Sequence, residues 1–137
     1  MNNKTFWIGF VVVFVLMQAI GFVVHEVWLA ETYAGLANVF RGEADMMGMM
    51  WMMMVASVGS LFLFCYIFTK GYEGKGIAEG ARYGLWMGLF MSLPMAIDQY
   101  VVYPLPSNLA VSWFVTGVIS FVIAGAVFAA IYKPSRN

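Results

Sequence analysis

Residues 6–28 read FWIGFVVVFVLMQAIGFVVHEVW, an apolar run without Lys or Arg that decides which fold this chain can form. Three further apolar stretches follow it, at residues 46–69, 81–103 and 108–132. The hydrocarbon core of a bilayer is about 30 Å thick and needs about 20 apolar helical residues to cross it. The sequence therefore predicts an all-α integral membrane four-helix bundle, built as two antiparallel hairpins in a single domain over residues 1–137.

The composition agrees with a chain that lies mainly in lipid. Hydrophobic residues make up 63% of it and charged residues only 10%, where a soluble domain carries roughly 25% charged residues. The net charge is zero, so nothing indicates a nucleic-acid partner. The only cysteine, Cys65, has no partner for a disulfide, which predicts a small buried apolar side chain. No small-x-small cleavage site follows the first stretch, so we expect a retained helix and not a signal peptide.

The basic residues predict the orientation of the helices. Only Arg41 occurs between the first two stretches, whereas the other six fall in alternate gaps: Lys4, Lys70, Lys75, Arg82, Lys133 and Arg136. By the positive-inside rule, both termini and the segment between the second and third helices face the cytoplasm. That segment is rich in glycine, which predicts a flexible connector, and its basic residues are suited to anionic lipid headgroups.

The two outer connections differ in pattern. Apolar residues recur at helical spacing over residues 29–41, which predicts a short amphipathic helix on the outer membrane surface or, equally, an ordered loop. Gly42 is the expected end of that helix, and Asp45 the expected cap of the next. Pro104 and Pro106 cannot continue a helix, so a tight turn should make the third and fourth helices antiparallel neighbours, with Ser107 or Asn108 as the cap.

The two halves of the chain are weakly alike. Trp7-Ile8-Gly9 in the first stretch resembles Trp86-Met87-Gly88 in the third. Two hairpins of the same orientation would form a parallel repeat about an axis along the membrane normal. Selection for aromatic residues at a membrane interface explains the likeness equally well.

Small residues recur at every fourth position of the third helix: Gly80, Gly84, Gly88, Ser92 and Ala96. This pattern lets two helix backbones approach closely, which drives helix association in lipid. It predicts a helix-packing surface, either within one chain or between chains. The fourth helix offers a complementary surface at Gly125 and Ala129.

Polar side chains inside the membrane stretches are the candidates for chemistry. A carboxylate at membrane depth is costly, so Asp98 should face protein or water and have a partner. Helical spacing places a set of polar residues near the outer side of the membrane: Gln18, His25, Glu26, Asp98 and Gln99. We interpret them either as a polar pairing between hairpins, which we favour, or as a proton- or cation-handling cluster.

Methionine is concentrated in residues 46–54, where seven of nine residues are Met. Thioethers are soft ligands that suit Cu(I), and the candidate ligands at this level are His25, Met46, Met49, Met50 and Met53. Methionine is also a flexible filler of irregular packing, which is the favoured interpretation. One histidine also permits haem ligation, although no motif supports it. No enzyme constellation is present, so we expect no enzymatic activity and no cofactor.

The second half resembles a known kind of protein. The motifs are the segment from Ile67 to Gly71, the glycine-rich start of the third helix through Leu85, and the turn Tyr103-Pro104-Leu105-Pro106. They are similar to those of small four-helix bacterial inner-membrane proteins of uncharacterised function. The resemblance implies a multi-pass protein of the bacterial inner membrane and transfers no activity or site.

These features together predict a non-enzymatic accessory or scaffold subunit of a homo-oligomer or of a larger membrane complex, associating through the third helix. The alternative is a small transporter or channel for a cation or metabolite that uses the outer polar residues. A third hypothesis is copper or haem binding. The expected partners are the lipid bilayer and other membrane chains.

Overall fold

The computed structural model describes residues 3–134, which form an all-helical bundle. Helix α1 (Asn3–Phe22) continues directly into a π-helical segment (Val23–Trp28). A short helix α2 (Ala30–Ala34) precedes the three other long helices, α3 (Glu43–Lys70), α4 (Ile77–Val102) and α5 (Ser107–Ile131). The four long helical segments are each long and apolar enough to cross a membrane, which places the protein in the multi-pass membrane class.

The start of α1 and the end of α5 lie on the same side of the bundle. The Thr5 hydroxyl donates a hydrogen bond to the backbone carbonyl oxygen of Lys133 at 2.9 Å, which joins the start of α1 to the end of α5. The rings of Tyr72 and Tyr132 pack with their centroids 5.4 Å apart, so the α3–α4 connection lies on this side too. We call it the terminal side and the opposite one the far side. Arg136 lies outside the described residues.

Helices α4 and α5 form a tight antiparallel pair in which backbone meets backbone. A Cβ atom added to Gly84 would stand 2.8 Å from the Cα atom of Val122, and one added to Gly88 would stand 2.9 Å from the Cα atom of Val118. Gly80 and Gly125 face each other's carbonyl groups across the same interface. Glycine is required here because any side chain would push the two helices apart.

The apolar core lies in the terminal half of the bundle. Helix α5 contributes Phe128, which is fully buried and packs edge-to-face on Phe6 of α1 at 6.0 Å and on Phe68 of α3 at 5.6 Å. Tyr83 of α4 donates a hydrogen bond from its hydroxyl to the backbone oxygen of Phe64 at 2.7 Å. All four long helices therefore meet at this level, and the ring of helices is closed there.

The ring opens toward the far side because α3 leaves its neighbours. The buried residues of α3 all fall in its last third, at Leu61, Phe64, Cys65 and Phe68. In contrast, every residue from 43 to 56 is exposed. We call residues 43–56 the far half of α3.

The far side is organised by the segment that the sequence assigned to an amphipathic helix. That helix is much shorter than the predicted 29–41: α2 spans Ala30–Ala34, and Gly35 ends it, not Gly42. Its apolar residues still face inward, and Leu29 packs with Leu105 and Leu109 at the start of α5. The segment therefore contacts the α4–α5 turn.

Two predicted caps do not form. Helix α3 begins at Glu43 with Gly42 as its N-cap residue, so Asp45 lies inside the first turn. Helix α5 begins after Pro106, and neither helix start has a side-chain cap hydrogen bond. Helix α4 begins at Ile77, four residues before the predicted start, and continues through Pro94.

The connection between α3 and α4 is held in a defined conformation. The carboxylate of Glu79, which is buried, accepts hydrogen bonds from the backbone N–H groups of Glu73 at 2.6 Å and Lys75 at 2.7 Å. Gly74 and Gly76 adopt positive φ angles of 82° and 71°, which let the chain turn back onto that carboxylate. These bonds explain why a glycine-rich segment, predicted to be a flexible connector, has a specific shape.

The weak likeness of the two halves has no counterpart in the packing. Gly88 of α4 lies against α5, its own hairpin partner. The corresponding Gly9 of α1 lies against Phe128, also of α5, and not against its hairpin partner α3. The two hairpins are therefore packed differently.

Candidate functional site

A chain of three aromatic side chains on the far side joins three separate elements. The Tyr33 hydroxyl of α2 lies 2.6 Å from Nδ1 of His25 in the π-helical segment. The indole N–H of Trp113 in α5 donates a hydrogen bond to the same hydroxyl at 2.7 Å. Tyr33 thereby fastens the outer segment to α5 and to the end of α1, and we call these three residues the far-side latch.

The donors and acceptors of the latch fix one of its two hydrogen-bond directions. An indole N–H can only donate, so the Tyr33 oxygen is the acceptor for Trp113. The direction of the bond between the Tyr33 hydroxyl and Nδ1 of His25 depends on which ring nitrogen carries the histidine proton. Burial raises the pKa of Tyr33, the bond from Trp113 opposes the rise, and the charge of Glu26 adds to it. Tyr33 is therefore held in its protonated form.

His25 lies inside the π-helical segment. The backbone N–H of Leu29 bonds to the carbonyl oxygen of Val24 at 2.9 Å, five residues earlier. Such a wide turn contains one more residue than an α-helical turn and is often found at functional sites. The outer segment with Tyr33 follows directly after this turn.

Gln18 is in a separate place, close to the middle of the membrane span. Its Oε1 accepts a hydrogen bond from the Ser57 hydroxyl at 3.3 Å, and its Nε2 lies 3.7 Å from the Met54 sulfur. A thioether is a weak acceptor. The Gln18 side chain is exposed, and a second N–H donor and a second acceptor lone pair of its amide have no partner among the described residues.

The remaining residues of the predicted polar set are dispersed. Asp98 is exposed on α4, and within residues 3–134 it has no hydrogen bond or ion pair. Gln99 lines a shallow far-side groove with Arg41 and Tyr103. Glu26 is exposed beside His25. The structure thus divides Gln18, His25 and Asp98 among different surroundings and does not bring them into one cluster.

The methionine run lies on the far half of α3, and its members are exposed to between 43% and 67%. The hydrogen bond and ring contact of His25 both go to Tyr33, not to a thioether. No group of three His, Cys, Asp or Glu residues that could hold a metal occurs in the described part of the chain. The four methionines proposed as ligands, Met46, Met49, Met50 and Met53, all belong to this exposed surface.

The small residues of the third helix face the fourth helix of the same chain. Gly80, Gly84, Gly88, Ser92 and Ala96 are all buried. A Cβ atom on Gly117 of α5 would lie 2.9 Å from the Ser92 Cβ atom, so the contact continues past Gly88. Because this surface is occupied within the chain, the expectation that chains associate through it is wrong.

Sequence reasoning missed two of the three latch residues. Tyr33 is one of the residues that recur at helical spacing over residues 29–41, and its separation from His25 by only eight residues was an available signal. Trp113 follows Tyr33 by 80 residues, and no local pattern connects them.

No protein-family model, no curated protein and no solved structure matches this chain. Its class is therefore defined by the fold: an all-helical bundle with four helices able to cross a membrane. The resemblance of the second half to small bacterial inner-membrane proteins stays a prediction.

Proposed function

We propose that the protein is a non-enzymatic subunit of a membrane assembly and that the far half of α3 is the surface that receives another membrane helix. One observation carries this proposal, namely the absence of any buried residue between positions 43 and 56 in a helix that is otherwise part of the bundle. The partner is a second copy of the chain or another membrane subunit.

The end of the far half of α3, together with the helical turn that follows it, has the properties of a helix-packing surface. Ala56, Gly59 and Ser60 form a group of small exposed residues near the middle of the span, and a Cβ atom on Gly59 would have no neighbour within 4 Å. Small residues at such spacing allow close backbone approach in lipid. Gln18 lies close by through its bond to Ser57, and one of its N–H groups has only the weakly accepting Met54 sulfur as its partner. An amide in hydrocarbon gains from a hydrogen bond to a neighbouring helix.

Cysteine cross-linking in native membranes tests the proposal. In a Cys65→Ala background, Ala56→Cys should form disulfide-linked species, because residue 56 lies on the proposed surface. The matched control is Ile119→Cys, on the exposed face of α5. Residues 56 and 119 are each fourteen residues from a terminal-side lysine, Lys70 and Lys133, which is about 21 Å of helix.

We expect cross-linking at position 56 and little at position 119. Mass spectrometry of the linked species identifies the partner as a second copy or a different chain. Equal cross-linking at the two positions, or none at position 56, would refute the proposal.

We also propose that the terminal side faces the cytoplasm of a bacterial cell and that the membrane is the inner one. The terminal side carries Lys4, Lys70, Lys75, Arg82 and Lys133 among the described residues, and the far side only Arg41. The bias of Lys and Arg toward the cytoplasm supports this orientation. A membrane-impermeant thiol reagent should label Asn38→Cys in intact cells and should label Gly71→Cys only after lysis, since Gly71 is exposed on the terminal side and accepts a side chain without strain; the reverse pattern would contradict it.

The alternative function, a small cation or metabolite transporter, gains less support. It requires the outer polar residues to line one path, whereas Gln18, His25 and Asp98 have separate surroundings. Asp98 would be its central group, and Asp98→Asn should then abolish flux in vesicles while insertion and assembly persist. Copper or haem binding gains no support either, because the contacts of His25 go to Tyr33 and not to a methionine.

A further inference from the structure

A groove between α3 and α4 on the terminal side combines basic and aromatic side chains. Its volume is about 520 Å³, and its walls include Ile67, Lys70, Glu79, Arg82, Tyr83 and Trp86. It lies where the α3–α4 connection meets the ends of both helices. In the orientation proposed above, one end of the groove would face water and its side would face lipid.

The two basic groups of the groove are available to a ligand. The ammonium group of Lys70 lies over the Tyr66 ring at 4.8 Å from its centroid and has no acidic partner within residues 3–134. The Arg82 guanidinium lies 3.7 Å from a carboxylate oxygen of Glu73, and both side chains are more than half exposed. Exposed ion pairs of this kind contribute little and are readily exchanged.

The acidic groups nearby are already satisfied. Glu79 is the only acid in the groove wall, and its two oxygens accept the backbone N–H groups of Glu73 and Lys75. Glu73 is paired with the Lys75 ammonium, and this hydrogen bond lowers the pKa of Glu73. With Lys70, Lys75 and Arg82 against Glu73 and Glu79, the site has a net charge of +1, which matches one phosphodiester.

The apolar part of the groove lies deeper in the membrane than the basic part. Ile67 precedes Lys70 by three residues, and Trp86 follows Arg82 by four, so both lie about one helical turn further from the terminal side. Their side chains are 46% and 65% exposed. Tryptophan is favoured at the level where headgroups meet acyl chains.

We propose that this groove binds an anionic phospholipid, with Lys70 and Arg82 holding the phosphate and with Ile67 and Trp86 contacting the upper part of an acyl chain. The order of charged and apolar residues along the groove matches the order of chemical groups in a lipid. Arginine can make two parallel hydrogen bonds to a phosphate, and lysine adds a point charge. Free phosphate shares the headgroup chemistry but would use only the basic end.

Native mass spectrometry of the detergent-purified protein tests the site. The protein is mixed with phosphatidylglycerol, with phosphatidylcholine of the same chains, or with inorganic phosphate alone. We expect retained phosphatidylglycerol adducts and few phosphatidylcholine adducts. The double variant Lys70→Gln/Arg82→Gln should reduce phosphatidylglycerol retention about tenfold, since charge-assisted hydrogen bonds are lost.

The matched control is Lys4→Gln/Lys133→Gln, which removes two charges from the same side of the bundle without touching the groove. It should retain lipid like the unmodified protein. If the double groove variant does not fold, Arg82→Gln alone and the charge-preserving Arg82→Lys replace it, with the larger loss expected for Arg82→Gln. Equal retention of the two lipids, equal loss in the control, or binding of inorganic phosphate as tight as that of the lipid would overturn the proposal.

Discussion

A Cβ atom added to Gly84 would lie 2.8 Å from the Cα atom of Val122, a distance that real Cβ atoms do not show. The obstructing atoms belong to the backbone of α5 and cannot move aside as a flexible side chain would. The α4–α5 pair therefore depends on the absence of side chains at its centre.

Gly84→Ala should destabilise the folded protein by about 1 to 3 kcal/mol, the usual cost of overpacking. The control is Gly21→Ala in α1, where a Cβ atom meets nothing within 4 Å. That substitution should be neutral or stabilising by up to about 1 kcal/mol, since alanine is the better helix former. Unfolding in mixed detergent micelles measures both, and equal stability of the two variants would contradict the packing described here.

Tyr33→Phe should release the far-side segment from the bundle. The variant leaves the Trp113 N–H and His25 without their shared partner, which should cost about 1 to 3 kcal/mol. Amide hydrogen exchange should rise over residues 29–40 and stay unchanged in α4. Tyr100→Phe, at an exposed tyrosine with no hydrogen bond among the described residues, is the control and should leave exchange unaltered.

The latch should open at alkaline pH. Burial raises the pKa of Tyr33 above its usual 10.0, so the folded state favours the protonated phenol. Its contribution to stability is therefore complete below pH 10.0 and decreases as the pH rises from there through the raised pKa. Tyrosinate absorbance, compared between the unmodified protein and Tyr33→Phe, should differ by one tyrosine that titrates late. A difference that titrates at or below the usual value would refute this.

Glu79→Ala should loosen the connection between α3 and α4. It removes the acceptor of the Glu73 and Lys75 backbone N–H groups, at a cost of about 1 to 3 kcal/mol. Glu79→Gln keeps one carbonyl acceptor, so its loss of stability should lie between zero and the loss caused by Glu79→Ala. Hydrogen exchange of the Glu73 and Lys75 amides reports the change directly. Glu43→Ala, which also removes an acid from the first turn of a helix, should leave these amides protected.

The sequence predicted the long helices well because their signal is local. Lipid requires continuous apolar segments of a set length, and residues 46–69 and 108–132 match α3 and α5 to within three residues at each end. The outer helix was predicted too long, because the apolar residues at positions 36 and 40 also suit turns that pack inward. The caps predicted at Asp45 and Ser107 do not form, because both helices begin without a side-chain cap hydrogen bond.

The candidate site was less predictable because it depends on the distances between helices. Gln18 lies in α1, His25 in the π-helical segment that continues it, and Asp98 in α4, but helical spacing could not show how far apart the helices lie. In the structure, His25 contacts Tyr33, and Asp98 is exposed on α4. The sequence pattern of a single helix shows neither outcome.

The sequence by itself determined the four spans and the small-residue surface of α4, since lipid length and close packing impose periodic patterns on single helices. Only the tertiary structure decided that this surface belongs to α5 of the same chain and that Tyr33 joins His25 to Trp113. It also decided that the far half of α3 is exposed. In lipid, every apolar helix face is soluble, so hydrophobicity cannot select partners, and the geometry of close contacts must do so.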